Sequence, residues 1–194
     1  MERREALQRV VALMGGTVLA PSLLSATNFW SYEQLPPDIG FFSKAEKKLV
    51  AELAETIIPK TSTPGAKDAG VAAYIEIMLR DCTSPQNQVA FREGLKNVND
   101  SCSTNYGTGY HKLSTAQKNE VMRSLEKTAK DNELNNKTNN VKGAPRQFFR
   151  MLKDLTLSGY FTSEKGATQA LAYLQVPGRW EGCLKLEPGQ KSWY

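Results

Sequence analysis

SKAEKKLVAELAETIIP, residues 43–59, decides the fold. Ser43 followed three residues later by Glu46 is a capping box, in which each side chain satisfies a backbone N–H that the first helical turn leaves open. Ala45, Leu49, Leu53 and Ile57 then recur at i, i+4 spacing, and Val50, Ala54 and Ile58 widen the stripe to a core-facing width. Pro59 cannot continue the helix and ends it. The stretch therefore reads as one amphipathic helix with a coded start and a coded stop.

The same grammar repeats down the chain. Thr61–Gly70 is a loop, and a second helix follows with Val71, Tyr74, Ile75, Met78 and Leu79 inward. Ser84-Pro85 places a cap before a proline at the first helical position and opens a third helix, whose inner face is Phe91, Leu95 and Val98. Residues 100–113 are polar and Gly-rich. Ser114 with Gln117 is a second capping box, and Val121, Met122, Leu125 and Ala129 mark a fourth helical face. Lys130–Gly143 is rich in Asn and Lys, lacks periodicity, and reads as a solvated loop. Pro145 opens a fifth helix through Phe148, Phe149, Leu152 and Leu155, and a sixth is expected from Thr162 or Ser163 to about Leu174. After that, Pro177, Gly178, Gly182, Pro188 and Gly189 exclude helix. No alternating strand pattern competes. The expected fold is all-α, with five to six helices and an extended tail over residues 175–194.

The chain has 194 residues and a net charge of +5, so a single domain is expected. The domain spans residues 27–194, after a leader of 26 residues. The cationic excess is dispersed rather than gathered in a stripe with interleaved aromatics, which argues against a nucleic-acid partner. The leader, MERREALQRVVALMGGTVLAPSLLSA, has a basic start and an apolar run of about 15 residues. That is short for a membrane span, which needs about 20, and suits a secretory signal. Arg3-Arg4 before the run resembles a twin-arginine export signal, the route that carries folded cargo. The expected location is the periplasm, with membrane association through a retained leader or through a complex.

Candidate chemistry is sparse. His111, the one histidine, lies in YGTGYHK beside Tyr106 and Tyr110. These three define the alternative reading, an independent periplasmic ligand-binding protein or enzyme. Gly107-Thr-Gly109 begins like a dinucleotide fingerprint, but Lys112 occupies the third glycine's place and no strand precedes it. No Walker A motif, G-x-S-x-G or H-E-x-x-H occurs. Glu52 and Glu55 share a helix with Lys47 and Lys48 and read as a solvated, mixed-charge face. No catalytic, metal-binding or cofactor-binding residue is assigned to this chain.

The C-terminal third is instead dense in aromatic and backbone-shaping residues. Tyr and Trp supply large contact area at small side-chain entropy cost, so Tyr160, Phe161, Trp180 and Trp193 are expected partner anchors. Cys183 follows a Gly/Pro turn and is a candidate for a bond to a partner cysteine, with Cys82 and Cys102 pairing internally.

Three blocks resemble one family. LVAELAETIIPKTSTPGAKDAGV (Leu49–Val71), FFRMLKDLTLSGYFTSEKGATQAL (Phe148–Leu171) and VPGRWEGC (Val176–Cys183) are similar to the gluconate 2-dehydrogenase subunit 3 family, the small subunits of membrane-associated flavin-dependent sugar and sugar-acid dehydrogenases. The joint occurrence of TIIP-x4-PGA and LTLSGYFTSE-x-GA carries most of the likeness. The resemblance implies an all-α subunit with no cofactor of its own. It also implies a large FAD-containing partner of the glucose–methanol–choline oxidoreductase type, often with a cytochrome c subunit. The implied role is to aid maturation and export of the flavoprotein.

Overall fold

The computed structural model describes residues 40–194, apart from 142, 177, 179–181, 184 and 194. The expected export signal, with Arg3 and Arg4, lies outside the described residues. Five α-helices follow one another: α1 (Lys44–Ile57), α2 (Val71–Cys82), α3 (Pro85–Tyr106), α4 (Thr115–Thr138) and α5 (Phe148–Phe161). A 3-10 turn at Tyr110–Lys112 joins α3 to α4, and a π-helical turn at Gly166–Ala170 follows α5. No strand occurs among the described residues, so the class is all-α.

Both capping boxes form. The Ser43 and Ser114 hydroxyls accept from the N–H groups of Glu46 and Gln117, whose side chains accept from the Ser43 and Ser114 N–H groups in return. At the other end of α3, Gly107 takes φ +64°, the left-handed value that closes a helix without a Cβ penalty.

Helix α5 packs against each of the other four and is the centre of the assembly. Its buried face, Phe149, Met151, Leu152 and Tyr160, meets Val50, Leu53 and Ala54 of α1, Ile75 and Leu79 of α2, and Phe91, Leu95 and Val98 of α3 in one continuous core. The core begins at the chain's lead-in. Phe42 lies 5.9 Å from the Phe91 ring, and Phe91 meets Phe148 edge-to-face at 5.0 Å. Residues 41–194 form one compact unit.

Two expectations need correction. Residues 130–138 are not loop: α4 continues through them to Thr138. This stretch is largely exposed, so no buried stripe was there to read, and Glu126–Lys130 at i, i+4 (3.1 Å) and Arg150–Glu133 (3.0 Å) support it from its surface instead. The sixth helix shrinks to the π-helical turn. Ser163 ties back to the end of α5 and Leu171 is already extended, so the helical segment stops at Ala170, short of the expected Leu174.

A candidate partner-docking face

The face is built around the loop between α1 and α2. Glu55 sits in the last turn of α1, where a carboxylate opposes the helix dipole. Its placement has a structural reason. Its Oε1 accepts from the N–H of Lys60 at 3.0 Å and its Oε2 from the N–H of Lys67 at 2.8 Å. One carboxylate thus holds both arms of the loop, which the Ala66 N–H closes by donating to the Ile58 carbonyl at 3.0 Å. A Cβ on Gly65 would fall on the Glu55 carboxyl group, so the PGA sequence leaves room for the tether.

Glu52, one turn earlier, bridges two lysines, Lys67 at 2.6 Å and Lys118 at 2.9 Å. The bridge joins α1, the loop and α4. Burial works to raise the Glu52 pKa, but the two ammonium groups outweigh it and hold the carboxyl below its ordinary value. Glu52 and Glu55 are therefore not a solvated face. They are internal ties, and the acid in a final helical turn was the signal that could have revealed the second of them.

Helix α5 ends on this loop. Tyr160 donates to the Pro64 carbonyl at 2.7 Å. Its own carbonyl accepts from the Ser163 hydroxyl at 2.7 Å, and that hydroxyl accepts from the Gly166 N–H at 3.0 Å. Gly166 lies so close to the Tyr160 carbonyl that a Cβ there would overlap it. The chain then turns outward and returns. The Ala172 N–H donates to the Ser192 carbonyl at 2.8 Å, Lys191 donates to the Gln169 carbonyl at 2.6 Å, and Ala172 and Trp193 pair in a parallel bridge. The tail is thus a loop whose two ends meet beside the π-helical turn.

This loop and the end of α5 carry most of the exposed large apolar side chains of the described structure: Phe161, Tyr173, Leu174, Val176, Leu186 and Trp193. Val176 and Leu186 are 77% and 81% exposed. Exposed apolar groups so concentrated make this segment the candidate docking face.

The expected anchors separate by geometry. Trp193 is 59% exposed and Phe161 is exposed with its ring edge-to-face on Tyr160 at 5.2 Å. Tyr160 is 2% exposed, so it supports the face from beneath rather than presenting its ring to a partner. Trp180 lies outside the described residues. Cys183 is exposed with a free thiol. The internal Cys82–Cys102 pair is not formed: both thiols are free, Cys102 turned into the core and Cys82 exposed at the end of α2. Burial pushes the Cys102 thiol pKa up, away from the reactive thiolate.

Of the three residues of the alternative reading, Tyr110 and His111 line one cavity and Tyr106 lines a separate one. The Tyr106 hydroxyl donates to Glu120 at 3.0 Å, and Tyr110, buried, donates to the Thr56 hydroxyl at 2.9 Å. His111 is exposed on the 3-10 turn. Among the described residues, no cluster of three or more His, Cys, Asp or Glu is placed to hold a metal ion, and no helix is long and apolar enough to cross a membrane.

The described residues thus form an all-α body whose tail exposes several large apolar side chains. Its family follows from comparison with known proteins: the profile of the gluconate 2-dehydrogenase subunit 3 family matches residues 44–178, and the chain belongs to that family. Membership implies a gluconate dehydrogenase complex with partner subunits. Searches of curated proteins and of solved structures gave no match.

Proposed function

We propose that this chain is the non-catalytic small subunit of an exported, FAD-dependent sugar or sugar-acid dehydrogenase, and that it supports the maturation, export and stability of the flavoprotein large subunit. The observation that supports this reading is the concentration of exposed large apolar side chains at Phe161, Leu174, Val176, Leu186 and Trp193, at and beyond the C-terminal part of the segment that matches the family. The partner proposed for it is a glucose–methanol–choline-type oxidoreductase subunit that holds the FAD, and a cytochrome c subunit completes the complex. Flavin loads in the cytoplasm onto a folded large subunit. A partner with a folded-cargo leader at Arg3-Arg4 carries it across the membrane to the periplasm.

The test is truncation after Leu174. Among the described residues the core draws on nothing beyond Ala170, so the shortened chain is expected to keep its helical circular dichroism. The account expects it to lose the flavoprotein in co-purification, and a truncated chain that retains its partner at full strength removes the docking assignment.

A further inference from the structure

A cavity of about 370 Å³ opens between α1, α3 and the 3-10 turn. That is within the range of small-molecule sites, about 300–1,000 Å³. Its floor is apolar: Leu49, Leu95 and the ring of Tyr110, whose hydroxyl is committed to Thr56. Its rim carries two ammonium groups, Lys48 and Lys96, and the His111 ring also lines it. The one acid in the lining, Glu46, already accepts from the Ser43 N–H and hydroxyl at 2.8 and 2.7 Å. Among the described residues neither Lys48 nor Lys96 has a carboxylate partner. Two uncompensated ammonium groups over an apolar floor complement a negative head on an apolar body.

We propose that this cavity binds a free medium-chain carboxylate, with the carboxylate between Lys48 and Lys96 and the alkyl chain on Leu49, Leu95 and Tyr110. A sugar acid fits the rim but not the floor, since the Asn99 amide in the lining could not replace the water around its several hydroxyls, most of which would rest against Leu49, Leu95 and the Tyr110 ring. The site is separate in residues from the tail face and does not rest on the accessory-subunit reading.

The test is calorimetric titration of the full chain with octanoate below its micelle concentration, beside hexanoate, octyl glucoside and gluconate. One saturable octanoate site is expected, at least tenfold tighter than octyl glucoside, with affinity rising about fourfold per methylene from hexanoate. Replacing both lysines (K48Q/K96Q) should weaken octanoate at least fivefold, and Ala45→Trp, at an exposed position of the lining, should block it, both with unchanged thermal melts. No saturation, equal binding of octyl glucoside, or preference for gluconate overturns the proposal. Binding confined to phosphatidylglycerol vesicles and indifferent to Ala45→Trp also overturns it, and reads the lysines as a membrane contact.

Discussion

Tyr160 and Pro64, 96 residues apart, are joined by a 2.7 Å hydrogen bond from the phenol to the proline carbonyl. The bond links the two family motifs, TIIP-x4-PGA and LTLSGYFTSE-x-GA, and sets the tail's point of departure against the α1–α2 loop. Tyr160→Phe keeps the ring and leaves the Pro64 carbonyl without this donor, which is expected to cost about 1–2 kcal/mol in urea unfolding. Tyr160→Ala removes a buried ring as well and should cost about 3–5 kcal/mol. A Tyr160→Phe variant as stable as the parent would show that the bond does not hold the two motifs together.

Gly166 makes a second, steric prediction. Alanine there would drive its Cβ into the Tyr160 carbonyl, a backbone atom that cannot swing aside. A loss of about 2 kcal/mol is expected, or roughly 4–8 °C in melting temperature for a domain of this size. Gly178, which has open space around it, serves as the control and should change little on substitution by alanine.

The Glu52 bridge predicts a pH dependence. Its folded-state pKa lies below the ordinary 4.5, so the unfolded chain takes up the proton first as pH falls. The bridge's contribution is fully present above about pH 4.5 and is lost as pH drops through the lowered value. Glu52→Gln should therefore be destabilised by about 2 kcal/mol at neutral pH, with the gap to the parent closing in acid. At the alkaline end the sign reverses. Burial, the largest influence, raises the Tyr110 pKa to about 12 from 10, so its contribution holds below pH 10 and is lost as pH climbs through about 12. Urea titrations of the parent, Glu52→Gln and Tyr110→Phe across pH check both limbs.

Much of the fold was legible because helix boundaries were written in local chemistry. Ser43/Glu46, Ser114/Gln117 and Ser84-Pro85 mark starts, and Pro59 marks a stop. The misreadings share one cause. Residues 130–138 are helical without a buried stripe, and periodicity detects burial rather than helix. Glu52 and Glu55 looked like surface charge because their partners, Lys118 and the Lys60 and Lys67 amides, come together only in the folded loop. Tyr160 was expected outside for the same reason: aromatic density marks the region, but only packing separates the ring that supports a face from those that form it.

Docking through that face predicts a division among aromatic substitutions. Trp193→Ala and Phe161→Ala, both at exposed sites, should leave urea stability within about 0.5 kcal/mol. Each should weaken co-purification with the large subunit about tenfold or more. Equal retention of the partner by both variants would place the interface elsewhere.

Cys183 carries a separate expectation. If its exposed thiol bonds a partner cysteine, the native complex should show a band on non-reducing gels that collapses on reduction, and Cys183→Ser should abolish it. A gel unchanged by reductant removes the intermolecular bond.

The most direct measurement is affinity purification of the chain from its native host in mild detergent, followed by an absorbance spectrum and identification of the chains that accompany it. The account predicts a flavin spectrum and a large oxidoreductase subunit at equal stoichiometry. A colourless protein that purifies alone would contradict it.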